Sequence, residues 1–339
     1  LSEKLMSYNP PFSIDAEILN LVAEVSELTA GLKWAQSQSP SLRLRRVNQV
    51  RTIQGSLAIE GNALSCEQVT AILEGKRVLA PLKEIQEVKN AIDVYESMSK
   101  WSCNNESDLL KAHKILMQGL IESYGKYRSK GVGVMGKEDI IHVAPPAEQV
   151  SPLIKSLFSW LKTSQDHPLI KASVFHYEFE FIHPFDDGNG RIGRLWQTLI
   201  LNHWHDFFSL IPVESIIYDH QQEYYQALNH STQLADCAPF IKFTLKIIKE
   251  AIQQFLEETG QVTYQVTGQV KKLLKLCKND MSRKELMSKL KLKGRDNFNK
   301  LYLKPALLQG LIEMTTPDKP NSRSQKYRLT RLGRSFSDD

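Results

Sequence analysis

Long apolar runs are missing from this chain. Nowhere do eighteen apolar residues follow one another, so no segment reads as a membrane-spanning helix. The first residues, Leu1-Ser2-Glu3-Lys4, lack the order of a secretory leader. Cysteine is scarce: Cys66, Cys103, Cys237 and Cys277 stand far apart in 339 residues. That spacing fits neither a zinc site nor a dense disulfide framework, and it reads as reduced thiols in a cytoplasmic protein. Strand-like alternation is rare, and no internal repeat or low-complexity tract occurs. Acidic residues are sparse at one end only. Residues 266–339 hold 18 Lys and Arg against 7 Asp and Glu, an excess of 11 positive charges. The rest of the chain holds 25 against 31, an excess of 6 negative charges. Such asymmetry points to two modules with different partners.

What is present is mostly helical periodicity. Helices are expected over about 15–34, 42–60, 66–74 (capped by Ser65 and closed by Gly75), 82–99, 107–123, 151–164, 168–181, 190–205, 221–234 and 238–259. Val132-Gly133-Val134-Met135 and Ile140-Ile141-His142-Val143, separated by Gly136-Lys137-Glu138-Asp139, read as a short β-hairpin. The polar stretch 260–266 marks a boundary. Beyond it the order is helix, helix, helix, hairpin, with Ser282 capping the second helix and Pro305 expected to end or kink the third.

One stretch carries chemistry: His183-Pro184-Phe185-Asp186-Asp187-Gly188-Asn189-Gly190-Arg191-Ile192-Gly193-Arg194. Gly188-Asn189-Gly190 allows a turn whose amides face inward as an anion nest and run into a helix N-terminus that favours phosphate. Arg191 and Arg194 share one face of that helix's first turn, and their forks suit phosphate oxygens. Asp187 is the natural ligand for a Mg²⁺ brought with a triphosphate. His183 has the side chain of a general base toward an attacking hydroxyl.

The stretch resembles the signature of the Fic family, His-Pro-Phe-x-Asp/Glu-Gly-Asn-Gly-Arg-x-x-Arg, at every specified position, and the likeness extends over roughly residues 40–255, including Gly125-Lys126-Tyr127-Arg128 ahead of the hairpin. The resemblance implies a mainly α fold, a Fic-type helical bundle with a small β-hairpin flap. It implies transfer of AMP from ATP to a Ser, Thr or Tyr hydroxyl of a protein, the chain itself included, with Mg²⁺ as cofactor. His183 is then the base and Asp187 the metal ligand. Gly188, Asn189 and Gly190 bind phosphate oxygens, and Arg191 and Arg194 the outer phosphates. Tyr224 and Tyr225 lie near the nucleotide base. The flap, with Gly133, Val134 and Met135, lays the target along the site by strand addition. Gly190 stands where a phosphorylating branch carries Lys, which favours nucleotide transfer. Family habit also implies a homodimer.

Ser56-Leu57-Ala58-Ile59-Glu60-Gly61-Asn62 resembles the family's inhibitory segment, Ser/Thr-x-x-x-Glu-Gly/Asn. The resemblance implies that Glu60 pairs with Arg194 and takes the place of the γ-phosphate. Ser56 lies one turn before Glu60, and Gly61 and Asn62 follow it. Residues 265–334 resemble a winged helix-turn-helix domain. Arg295, Asn297, Asn299 and Lys300 on its third helix, and Arg323 and Lys326 on its wing, would meet DNA. The expected organisation is therefore 1–104, a helical region bearing the inhibitor (about 42–62); 105–260, a Fic catalytic core; and 265–339, the winged helix. Two alternatives stand beside AMP transfer: transfer of another nucleotide or removal of AMP, and a DNA-binding regulator whose core senses nucleotide.

Overall fold

The computed structural model describes residues 9–35, 42–131, 133–135, 140–258, 268–277, 279–292, 294–308, 311–315, 325–330 and 333–334. The chain divides into two compact units, Leu1–Gln261 and Val262–Asp339.

The first unit is helical. Its elements are α1 (Ala16–Ala35), α2 (Leu42–Ile59), α3 (Cys66–Leu73), α4 (Leu82–Ser97), α5 (Glu106–Met117), strands β1 (Gly133–Met135) and β2 (Ile140–Val143), then α6 (Ala147–Thr163), α7 (Pro168–Ile182), α8 (Asn189–Trp204), α9 (Val213–Asp219), α10 (Gln221–Leu234) and α11 (Ala238–Glu258). β1 and β2 pair antiparallel, with Gly133 opposite Val143. The middle of the bundle is the α7–α8 hairpin. From Leu169 to Phe179 every residue of α7 but Lys171 is buried, and from Arg191 to Leu201 every residue of α8 is buried. Buried on nearly every side, this hairpin lies inside the bundle, and its polar residues His176, Glu178, Arg194 and Gln197 are buried with it. The others cover it: α1 packs along α11, α2 along α9, and α4 along α5. Residues on both sides of position 104, from Ile18 to Leu256, share one continuous core.

Local chemistry sets several element ends. Ser65 and Gln68 form a reciprocal capping box at the start of α3. Pro168 opens α7 at a position where its missing N–H costs nothing. α5 stops at Met117, earlier than the expected residue 123, and Gly119 follows in the left-handed region at φ +75°. α9 is not expected from the sequence: its seven residues follow Pro212 and are too few to show a helical period.

The second unit runs α12 (Gly268–Leu276), β3 (Met281–Ser282), α13 (Arg283–Lys289), α14 (Arg295–Phe298), α15 (Lys304–Leu308), β4 (Ile312–Met314) and β5 (Lys326–Leu329). The strands form one antiparallel sheet in the order β3-β5-β4, the arrangement of a winged helix-turn-helix, over a core of Val270, Leu273, Leu274, Leu286, Phe298 and Tyr327. Ser282 and Glu285 make the second capping box. Between α14 and α15 the chain makes a π turn, Asn299–Leu303, in which the Lys304 amide reaches back to the Asn299 carbonyl. Pro305, which lacks a donor, is thus accommodated just beyond an irregular turn rather than by ending the helix. Asn297 is exposed, Asn299 half-buried and Lys326 exposed; Arg323 and the loop 316–324 lie outside the described residues, as do the side chains of Arg295 and Lys300.

All four cysteines are free thiols, and no helix among the described residues is long and apolar enough to cross a membrane.

Helix α2 approaches α9 unusually closely at Gly55. A Cβ there would sit 2.7 Å from the backbone N and Cα of Ser215. Alanine favours a helix over glycine by about 1 kcal/mol, but overpacking costs about 1–3 kcal/mol, and here the obstacle is backbone that cannot rotate aside. Gly55→Ala should therefore lower the urea midpoint at unchanged slope. A raised midpoint would contradict the close approach.

Candidate active site

Helix α7 delivers His183 to the loop. The imidazole-bearing residue is the helix C-cap, in the left-handed region at φ 49° and ψ 61°, with its amide bonded to the Phe179 carbonyl. It is half-buried. A non-glycine residue in this region is uncommon and needs support from its surroundings.

The support is a set of side chains that hold the loop by its backbone. Asn189 closes it on itself: Oδ1 accepts from the Phe185 amide at 2.9 Å and Nδ2 donates to the Phe185 carbonyl at 2.8 Å. His113 of α5 holds it from below. The Gly125 amide donates to Nδ1 at 2.8 Å, so Nε2 carries the proton and donates to the Asp187 carbonyl at 3.0 Å. The His113 ring stacks on Phe185 with centroids 3.6 Å apart and planes within 4°. Burial pushes the His113 pKa down to about 4, so the imidazole is neutral at physiological pH. Arg128 lies beside the loop and donates to the His183 carbonyl at 2.7 Å. Gly188, at φ +85°, fits because a Cβ there would meet Met117 Sδ at 2.7 Å.

The loop opens α8 as an anion site. Gly188 caps the helix with no side-chain hydrogen bond. The Gly188 amide donates to Asp187 Oδ1, whereas the amides of Asn189, Gly190 and Arg191 start the helix and have no carbonyl one turn back. An anion already sits there. Glu60 Oε1 fills the space that a Cβ on Gly190 would take, and it accepts from Arg194 Nη2 at 2.7 Å. Arg194 is 1% exposed; it also donates to the Ser56 carbonyl at 2.9 Å and from Nε to Ser56 Oγ at 3.3 Å. Ser56 and Glu60 thus meet Arg194 together. Gly61, at φ +90°, and Asn62 instead shape the end of α2: the Asn62 amide group donates to Glu87 at 2.8 Å and to the Glu84 carbonyl at 3.2 Å.

Arg191 is turned back onto the protein. It meets Asp187 Oδ1 at 2.8 Å and Glu87 Oε1 at 3.7 Å. Asp187 is 46% exposed and makes these contacts through one oxygen. Among the described residues no group of three or more His, Cys, Asp or Glu side chains could hold a metal alone. A single open carboxylate completed by phosphate oxygens is how Mg²⁺ is commonly held beside a triphosphate, and Asp187 fits that donor set.

The two tyrosines separate. Tyr224 is 1% exposed and packs among His176, Phe240 and Phe243, its hydroxyl 3.1 Å from His176 Nε2. No ring face of Tyr224 is left for a base, because side chains of α7 and α11 pack over it. Tyr225 is 40% exposed and reaches the Ile59 carbonyl at 3.4 Å, beside Gln221 Nε2 at 2.8 Å. These two α10 side chains hold the last turn of α2. The backbone of Gly133, Val134 and Met135 forms β1 of the hairpin; their side chains lie outside the described residues. His113, Glu87 and Glu180 belong to the site without having been expected, and Arg128 is expected only as part of the Gly125–Arg128 segment ahead of the hairpin. Glu180, on α7 near Gly193 and Arg194, has a carboxyl pushed up to about 8 by burial, against the pull of Arg194 and with the charge of Glu60.

Residues 103–201 match the Fic/DOC family, and residues 268–330 match the C-terminal domain of Filamentation induced by cAMP protein Fic-like. The crystal structure of a Fic family protein from Desulfovibrio desulfuricans G20 is 46% identical, with a TM-score of 0.72, and the match covers 96% of this chain and 99% of that one. This chain belongs to the Fic family. It is 31% identical over 263 residues to protein adenylyltransferase fic-1 of Caenorhabditis briggsae, covering 73% of this chain and 49% of that protein. It is 27% identical over 261 residues to protein adenylyltransferase Fic of Nematostella vectensis, covering 73% and 57%. The chain thus spans about half the length of the curated relatives it matches.

Because His113 is held neutral, the unfolded chain takes up its proton first, near pH 6.5, and the folded one only near pH 4. The stability from this residue is complete above about 6.5 and is lost as the pH falls through that window to about 4. Unfolding free energies should therefore fall more steeply between pH 6.5 and 4 in the parent than in His113→Gln. Equal slopes would show that His113 is not buried neutral.

Proposed function

We propose that this chain is a Mg²⁺-dependent protein adenylyltransferase, restrained by its own helix α2. The observation that carries the reading is the carboxylate of Glu60 seated over Gly190 at the α8 N-terminus and bonded to Arg194 at 2.7 Å. The chain fills an anion site with an anion of its own. A triphosphate would take the same place, with its outer phosphate on Arg194 and its inner phosphates on the Asn189–Arg191 amides.

The chemistry follows from the neighbours. A hydroxyl oxygen of the target attacks the α-phosphorus and its proton passes to His183. The bond to the bridging oxygen breaks in line, and pyrophosphate leaves. Mg²⁺, held by Asp187 and phosphate oxygens, would supply charge neutralisation between phosphates. Arg191, now on Asp187 and Glu87, belongs to the same first turn of α8 as the amides that would hold the phosphates. Phosphoryl-type transfer depends chiefly on positioning and charge stabilisation, and this loop is held by its backbone at His113, Arg128 and Asn189. Gly190 supports nucleotide rather than phosphate transfer.

On this reading Glu60 inhibits because Arg194 cannot serve it and a phosphate together. A charge-assisted hydrogen bond is worth about 2 kcal/mol, which corresponds to about a 30-fold preference. Glu60→Gly should therefore raise incorporation of α-labelled ATP into protein by about 30-fold, with none from γ-labelled ATP. Adding His183→Ala should abolish it. Unchanged labelling in Glu60→Gly would remove the inhibitory role; label from the γ position would replace AMP transfer by phosphate transfer.

A further inference from the structure

Arg128 is 3% exposed and lies between the His183 loop and the two ends of the hairpin. Its guanidinium donates to four carbonyls: His183 at 2.7 Å, Ile182 at 3.2 Å, Lys130 at 2.8 Å and Pro145 at 2.6 Å. Its own amide donates to a fifth, Pro184, at 2.9 Å. Three of these carbonyls are consecutive and belong to the end of α7 and the His183 loop. The other two flank the hairpin: Lys130 precedes β1 and Pro145 follows β2. Among the described residues no carboxylate lies within ion-pair distance of Arg128. Its charge is met instead by carbonyl dipoles at a helix C-terminus, where a cation is favoured. Nη2 bridges the two parts alone, bonding both Pro145 and Ile182.

We infer that Arg128 is a positioning residue that fixes both roots of the β1–β2 hairpin to the backbone of His183, so that a target segment paired along the hairpin presents its hydroxyl in register with the imidazole. This rests on the adenylyltransferase reading for its consequence, but the clamp itself stands on geometry. A fork with five N–H donors spans acceptors on two sides; a lysine ammonium is a point charge that cannot. Arg128 touches none of the residues over which the phosphates would lie, so nucleotide affinity is separate from its role. The cost of losing it falls on alignment, to which transfer rates are steeply sensitive.

The test compares Glu60→Gly with Glu60→Gly/Arg128→Lys. Amide exchange should rise about tenfold in both segments, 131–135 with 140–145 and 183–188. ATP affinity should stay within twofold, and AMP incorporation into the protein itself should drop about 30-fold. Release of AMP to water, which needs no hairpin, should fall less than threefold. Faster exchange in only one segment overturns the clamp, and equal losses of transfer and water attack overturn the positioning role. In the unaltered chain the Arg128 guanidinium protons and the amides of both segments should exchange with a common opening free energy; separate values overturn the proposal without any substitution. If Glu60→Gly itself incorporates no AMP, the adenylyltransferase reading fails, and the exchange comparison still decides the clamp.

Discussion

A guanidinium at 1% exposure in the middle of a helical bundle must have an anion beside it, and the arrangement around Arg194 follows from that requirement. Burying a charge without a partner costs several kcal/mol. The chain meets the need with Glu60 and with the backbone and hydroxyl of Ser56, one turn apart on α2. Arg194 is therefore satisfied within the chain itself. Glu60 itself is 34% exposed, so the pair is reached from solvent on one side only. The same cluster contains Glu180, whose buried carboxyl is held protonated; a second carboxylate there would compete with Glu60 for one cation.

The loop that ends in this cluster is rigid for a different reason. Its backbone is bonded by side chains from distant segments, His113 to the Asp187 carbonyl and Arg128 to the His183 and Ile182 carbonyls, and by its own Asn189 to both polar groups of Phe185. These bonds offset the cost of a left-handed histidine. Asn62, Glu87 and Arg191 form a further chain of contacts from the end of α2 to the loop. The end of α2 is held in turn by Gln221 and Tyr225. Glu60 is thus built into the same scaffold as the Gly188–Arg191 turn.

Much of this was legible in the sequence where a short segment carries its own pattern. α10 begins and ends where periodicity places it, and Ser65 and Ser282 cap the helices they precede. The twelve residues from His183 to Arg194 display their chemistry in linear order, and the Ser56–Glu60 spacing brings both groups to one guanidinium. What stayed hidden depends on tertiary placement. α9 is shorter than two helical turns carry a signal for. α5 ends early, with Gly119 turning the chain in the left-handed region at φ +75°. Tyr224 and Tyr225 are adjacent in sequence and their rings touch, with centroids 5.2 Å apart, so only packing shows that one is interior and the other borders α2. His113 and Glu87 are single polar residues on separate segments. Nothing local distinguishes them from surface residues until the fold brings them to the loop, and the segment Gly125–Arg128 shows its likeness without showing which carbonyls Arg128 bonds.

The central claim is that Glu60 and a nucleotide's terminal phosphate are alternatives on Arg194. A crystal structure of Glu60→Gly with Mg²⁺ and an ATP analogue blocked between its α- and β-phosphates tests it most directly. The account predicts the terminal phosphate on Arg194, the middle and inner phosphates over the Asn189–Arg191 amides, and the α-phosphorus beside His183. A triphosphate bound elsewhere, with Arg194 still turned onto Ser56 alone, would contradict it.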